Sequence, residues 1–249
     1  MDLELVGKVA IVTGGASGGL GENMAVRLLE EGCRVMVADR NAQRNAELVA
    51  RLAPLGEVAG HVSDVSTEDF AEPLAAATVE AFGGIDVVVN NAANPLAQPL
   101  GQVSAEALTK SYDVNVRGPV FLVQEALPHL KASEHAAVLN MVSIGAFIFS
   151  PMLSIYSSAK AAMMSFTRSM AAEFVQFGIR VNALAPGPVD TYMMQQNPPE
   201  MIAGMVGGTL MKRLATPDEM VGAALLLTSD AGSYITGQVI IADGGATPR

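Results

Sequence analysis

The chain has 249 residues, half of them apolar and 16% charged, with 24 glycines and a formal charge of −10. That profile suits one α/β domain with a substantial core and excludes a disordered or fibrous chain. The acidic balance argues against nucleic acid and anionic lipid as partners, because like charges repel over a Debye length. The opening MDLELVGK places acids where a secretory signal carries bases, and it lacks an apolar core of about 7–15 residues. Apolar runs such as 223–227 fall far short of the ~20 residues that span a bilayer. A cytoplasmic location without membrane contact is expected. Cys33 is the single cysteine, so no intrachain disulfide or cysteine-rich metal site is available, and a buried filler is favoured over a redox centre.

In chain order, apolar and β-branched runs of strand length fall at 9–13, 35–39, 58–62, 85–90, 138–143 and 179–185. Between them, segments 20–31, 42–53, 67–82 and 157–177 are rich in Ala, Leu, Glu and Met, residues that lose little entropy in a helix. Gly32, Gly83 and Gly178 stand where these helices should stop in left-handed caps. This alternation predicts βαβ units, and consecutive apolar positions such as Val87-Val88-Val89 predict parallel strands covered on both faces. The expected fold is α/β: a single Rossmann-type domain over 1–249, with a doubly wound parallel sheet of about seven strands and helices on both faces.

The segment from 186 to 213 breaks the pattern with Pro188, Pro198, Pro199, Gly204, Gly207 and Gly208 among five methionines. A long mobile excursion in a compact domain is usually functional, so 188–213 reads as a substrate lid. Methionine suits a pocket that adapts its shape.

Directly after the first strand comes TGGASGGLG, residues 13–21, followed by a helical pattern. Strand, glycine loop and helix make a dinucleotide site reasonable, because backbone N–H groups at a helix start face a pyrophosphate and missing side chains let it approach. The candidate contacts are Gly14, Ser17, Gly18, Gly19, Leu20 and Gly21. Asp39 ends the second strand, 18 residues past Gly21, where a carboxylate can accept hydrogen bonds from the adenosine ribose hydroxyls. A 2′-phosphate there would be repelled, although Arg40 next door could receive one, so NAD is favoured over NADP.

Tyr156 and Lys160 are four residues apart, which on a helix puts both on one face. A phenol working as acid or base near neutrality needs a nearby ammonium to stabilise its anion. Tyr156-Ser-Ser-Ala-Lys160 resembles the YxxxK signature of the short-chain dehydrogenase/reductase family, in its 3-oxoacyl reductase and alcohol dehydrogenase branch. The resemblance runs from Gly7 to Gly245. It implies a Ser-Tyr-Lys-Asn site in which Ser143 binds the substrate oxygen and Asn115 holds a water that links Lys160 to solvent. It also implies that Asp64 and Val65 flank the adenine, that Asn90-Asn91-Ala92-Ala93 supports the central strand with Asn91 and Ala92 along the coenzyme, and that Pro186, Gly187, Val189 and Thr191 hold the nicotinamide carboxamide, while Tyr156 and Lys160 contact the coenzyme as well.

Two positions depart from the family pattern. The glycine loop carries one residue more than TGxxxGxG, placed near 17–19 because the spacing from Gly21 to Asp39 is retained, and Ala93 stands where the family has glycine.

These features lead us to expect an NAD-dependent oxidoreductase that moves hydride between a nicotinamide and a secondary alcohol or ketone, with Tyr156 as general acid/base and no metal. Ser143, Tyr156, Phe149, Met193 and Met194 are the expected substrate contacts, and apolar residues from Phe147 to Leu153 favour a largely apolar small molecule. Three other readings stay open: an idle dinucleotide sensor or scaffold, a 3-oxoacyl thioester reductase, and a sugar-nucleotide epimerase, whose relatives carry a larger C-terminal domain. The resemblance further implies a homotetramer or homodimer paired through helices at about 112–131 and 157–177, where Ala161, Ala162, Ala171 and Ala172 would permit close approach.

Overall fold

The computed structural model describes residues 3–247, so Met1 and Asp2 of the acidic opening lie outside it, as do Pro248 and Arg249. Seven strands form one sheet: β1 (Val9–Thr13), β2 (Arg34–Asp39), β3 (Val58–Val62), β4 (Val87–Asn90), β5 (Ala137–Met141), β6 (Arg180–Pro186) and β7 (Val239–Ala242). Their order is β3-β2-β1-β4-β5-β6-β7, and every neighbouring pair is parallel. This is the doubly wound sheet expected from the sequence.

Side chains alternate between the two faces of the sheet and helices cover both, so the central strands are buried at every position and apolar at most. Ala10, Val12, Val35, Val37 and Val89 pack with Met24 and Leu28 of α1 (Leu20–Glu30), Leu48 of α2 (Ala42–Leu52) and Met220 of α9 (Pro217–Thr228). Their neighbours Ile11, Met36, Val88 and Val138 point the other way. They meet Leu74 of α3 (Ala71–Phe82), Leu122 of α5 (Gly118–Ala132) and Met170 of α6 (Ser154–Phe174). Each such buried side chain contributes roughly 1.5–3 kcal/mol, several times any difference in intrinsic strand propensity, so packing on both faces fixes the layers.

Several boundaries differ from the sequence reading, each for a local reason. β4 starts at Val87, where its pairing with Ala10 begins, although Ile85 is buried. Helix α3 starts at Ala71 and not near 67, because Asp64 accepts from the Ser66 N–H and hydroxyl and its carbonyl accepts from Thr67 N–H, a turn that competes with helix. The expected helix at 112–131 is divided into α4 (Ala105–Tyr112), a π turn (Asp113–Arg117) and α5. Helix α6 begins at Ser154 and so includes Tyr156. Gly83 and Gly178 do take left-handed φ at helix ends, +86° and +76°.

The 188–213 excursion is partly helical, with α7 (Tyr192–Gln195) and α8 (Pro199–Gly208). Its ends are fixed: Val189 bridges Ala215, and Leu210 and Met211 N–H both donate to the Gly244 carbonyl.

Candidate active site

Strand β1 has β2 on one side and β4 on the other, so the winding reverses there and leaves a crevice beyond the carboxyl ends of β1 and β4. The glycine loop sits in that crevice. Asn91 Nδ2 donates to the carbonyls of Thr13 and Gly14, at 2.9 and 3.2 Å. Thr13 Oγ1 accepts from the N–H groups of Asn91 and Ala92. A Cβ on Gly21 would lie 2.5 Å from Asn91 Nδ2, and one on Gly14 would lie 2.8 Å from Ala92 Cα. These two glycines therefore let α1 and the segment after β4 close onto the strand end.

Gly15 is equally confined, since its Cβ would fall 2.5 Å from Val37 Cγ1. Gly18 has φ +68° and open space around it. The slack of the extra residue thus falls in 16–19. Gly19 is the N-cap of α1 and offers no side-chain cap, so the N–H groups of Leu20, Gly21 and Glu22 have no intrahelical acceptor. Three uncapped donors beside a loop with glycine at 14, 15, 18 and 19 suit a pyrophosphate.

Asp39 serves the same loop. Its Oδ2 accepts from Ala16 N–H at 3.1 Å and its Oδ1 from Asn41 N–H at 3.0 Å, so it shapes the glycine loop. Arg40 is exposed beside it. Burial alone would raise the Asp64 carboxyl, but the Ser66 hydroxyl and N–H, with the charges of Arg40 and Lys110, hold it below the usual carboxylate value. Val65 follows and packs partly buried against the α3–α5 side of the core.

Across the crevice, Ser143, Tyr156 and Lys160 converge. Ser143 lies two residues beyond β5, not at its last position, and caps a short 3₁₀ turn, Ile144–Ala146, by accepting from Gly145 N–H at 3.1 Å. The same side chain lies near enough to the Tyr156 phenol to favour its anion. Burial pushes the Tyr156 phenol up to about 12, and the Ser143 hydroxyl opposes that rise. Lys160, 2% exposed, is lowered to about 8 by burial. Its ammonium donates to the Met141 carbonyl at 2.7 Å and lies 5.5 Å from the Tyr156 ring centroid.

Asn115 is fully buried in the π turn. It donates to the Ser111 carbonyl at 2.8 Å and the Asn94 carbonyl at 3.0 Å, and it accepts from Asn94 N–H at 3.2 Å. Its amide thus mimics a strand neighbour for the segment after β4.

The excursion brings the remaining coenzyme candidates to the same rim. Pro186 ends β6, and a Cβ on Gly187 would lie 2.6 Å from Asp243 Cα. Val189 is buried. Thr191 caps α7 by accepting from Met194 N–H, and its methyl is 3.5 Å from the Cβ position of Gly19, which places it over the glycine loop. Met193 and Phe149 are exposed, Phe149 at 91%, whereas Ser143 and Tyr156 are half-buried and Lys160 is buried. Met194 is half-buried beside Asn197.

The family model described as enoyl-(acyl carrier protein) reductase matches residues 15–247. An uncharacterised oxidoreductase of Thermotoga maritima is 34% identical over 97% of this chain and 98% of its own. The 2,5-dichloro-2,5-cyclohexadiene-1,4-diol dehydrogenase of Sphingobium indicum is 37% identical over 98% of each chain. Dehydrogenase/reductase SDR family member 4 of Pongo abelii is 35% identical over 98% of this chain and 89% of its own. A dehydrogenase/reductase of Sinorhizobium meliloti 1021 superposes with TM-score 0.94 at 29% identity, covering 99% and 98%. This chain belongs to the short-chain dehydrogenase/reductase family.

Short-chain dehydrogenases are oxidoreductases that generally use nicotinamide coenzymes on small molecules. Among the described residues no helix is long and apolar enough to cross a membrane. Within this member the sequence reading missed four residues that the geometry makes prominent. Thr13 and Asn94 anchor Asn91 and Asn115, Asn140 joins Asn90 to Thr167 in a buried chain at 2.9 Å each, and Arg117 ends the π turn. Thr13 and Asn140 had a signal, being polar inside strands otherwise buried and apolar.

Proposed function

We propose that this protein is an NAD-dependent oxidoreductase acting on a secondary alcohol or its ketone, with Tyr156 as the general acid/base. The observation that carries the reading is the Ser143 hydroxyl and Tyr156 phenol brought together beside the buried Lys160 ammonium, at the end of the sheet that also carries the glycine loop and its uncapped helix donors. The loop at 14–21 would hold the pyrophosphate, Asp39 the adenosine ribose, Asp64 and Val65 the adenine, and Pro186, Gly187, Val189 and Thr191 the carboxamide. When bound, oxidised nicotinamide supplies the hydride acceptor and a positive charge.

Tyr156 takes the substrate hydroxyl proton. Ser143, already fixed on one side by Gly145 N–H, orients the oxygen and steadies its developing charge. A phenol near 12 stays protonated at neutrality and cannot accept a proton, so positive charge must bring it down. Lys160 supplies part of that charge and contacts the nicotinamide ribose. Asn115 continues the proton path toward solvent.

The carboxylate of Asp39 favours NAD over NADP. The apolar surface of Phe149, Met193 and Met194 favours a largely apolar substrate beneath a lid at about 188–213. The diol named for the Sphingobium relative makes cyclic secondary alcohols the first compounds to try. Exposed Phe121 and Phe166 rim a groove of about 270 Å³ with Tyr112 and Val120, which supports a homotetramer or homodimer paired through the helices at about 112–131 and 157–177, in a protein read as cytoplasmic.

A spectrophotometric screen of NADH and NADPH against varied carbonyl compounds tests coenzyme and substrate together. Tyr156→Phe should abolish turnover and leave NADH binding nearly intact. Unchanged turnover in that variant would refute the assignment, and tight NADH binding without turnover of any substrate would favour an idle sensor.

A further inference from the structure

We propose that Arg117 is a positioning residue for the adenine end of the coenzyme site, tying the loop after β3 to the π turn that carries Asn115. The inference rests on the dinucleotide reading above. The loop in question is 64–68, where Asp64 and Val65 stand. It has no strand or helix of its own, only the turn in which Asp64 Oδ1 accepts from the Ser66 N–H at 2.9 Å and hydroxyl at 2.6 Å. Such a local turn fixes shape but not where the loop stands relative to the sheet.

Two contacts fix that placement, and both come from consecutive residues. A Cβ on Gly118 would lie 2.6 Å from the Val65 carbonyl oxygen, so the loop is pressed against bare backbone at the start of α5. Arg117 then reaches over it. Its guanidinium donates to the Ser66 carbonyl, approaches Glu68 Oε1 at 3.4 Å and pairs through Nε with Asp113 Oδ1 at 3.3 Å. The Arg117 side chain is 25% exposed, Asp113 26% and Glu68 89%. The Glu68 pair is therefore solvated and worth little. The Ser66 carbonyl and Asp113 are the partners that matter, one on the loop through a hydrogen bond and one in the π turn through charge, and a planar guanidinium with separate N–H groups serves both better than a single ammonium.

A purely structural arginine would alter stability and leave coenzyme affinity alone. A positioning arginine alters affinity for the adenosine half. Binding of ADP-ribose and NADH to the wild type and to Arg117→Met, measured by calorimetry, separates the two. Losing the charge-assisted anchor should raise the ADP-ribose Kd about tenfold, the scale of one hydrogen bond to a charged group. At saturating coenzyme, kcat and its pH profile should stay within about twofold, because the defect is in binding. An unchanged Kd with a lowered melting temperature would overturn the proposal, as would a kcat loss at saturation with Kd unchanged. If Arg117→Met does not fold, Arg117→Lys should show a smaller loss of affinity, and none would equally overturn it. A wild type that binds neither ligand would sink the dinucleotide reading itself, whereas equal binding by wild type and variants sinks only the role of Arg117.

Discussion

Lys160 is nearly inaccessible, and burial lowers its ammonium from 10.5 to about 8. The folded chain therefore gives up this proton more readily than the unfolded chain. Below about pH 8 both states are protonated and the native state bears the whole penalty. Between about 8 and 10.5 the unfolded state binds more protons, so stability from this group rises with pH. The difference corresponds to about 3 kcal/mol, set against about 1.5–3 kcal/mol for the lost charge-assisted bond to the Met141 carbonyl. Lys160→Met should accordingly unfold at an equal or higher denaturant concentration than wild type at pH 7, with the gap closing toward pH 10. A variant markedly less stable at pH 7 would mean that the ammonium is better solvated than its surroundings imply.

Glycine loop positions divide sharply at the same scale. Gly21→Ala would drive a methyl into Asn91 Nδ2 and the Gly14 carbonyl, 2.5 and 2.7 Å away. Neither can retreat without breaking the contact between α1 and the end of β4, and the variant should lose coenzyme binding with several kcal/mol of stability. Gly18→Ala meets nothing within 4 Å and pays only for its left-handed φ of +68°, about 1 kcal/mol. Paired thermal melts and NADH titrations would check the contrast, and similar behaviour of the two variants would contradict it.

At the scale of elements, what could be read from the sequence follows from period and punctuation. β1 and β3 were legible to the residue because apolar runs end at a glycine loop or at turn-forming Ser and Asp. The Tyr156–Lys160 spacing was legible because only a helix brings i and i+4 together. The π turn was not, because a one-residue insertion in a helix leaves composition untouched while rotating Asn115 inward. The Asn115–Asn94 pairing was hidden for a related reason: it joins residues 21 apart through backbone groups that no side-chain pattern announces. The inserted loop residue was visible by counting, and the geometry localises its slack to 16–19. Deleting Gly18 restores the family spacing while Gly14, Gly15 and Gly21 keep their contacts. That deletion should fold normally and bind NADH within about threefold of wild type, since loop length alone changes closure entropy by only tenths of a kcal/mol. Loss of binding would show that the longer loop is required by this cradle.

Across the whole molecule the two ends of the sheet are specialised. The carboxyl ends of the strands carry the uncapped α1 donors, the Ser143–Tyr156 pair and the excursion. The amino ends are closed by hydrogen bonds that involve none of these. There Arg180, at the start of β6, donates to the carbonyls of Leu227, Ser229 and Gly232 at 2.9–3.0 Å, and so locks the end of α9 to the sheet. Gly232 permits this closeness, because its Cβ would fall 2.1 Å from the Leu226 carbonyl oxygen. Arg180→Ala would strand several carbonyls at once and should cost about 3 kcal/mol, the scale of breaking a buried network around one charged group. Because α9 packs on α1, whose first turn faces the crevice, the variant also tests whether the two ends are mechanically separate. With a folded sample held well below its lowered melting temperature, NADH affinity and kcat should match wild type. A weakened affinity at that temperature would show that α9 transmits disorder at the base of the sheet through α1 to the phosphate cradle.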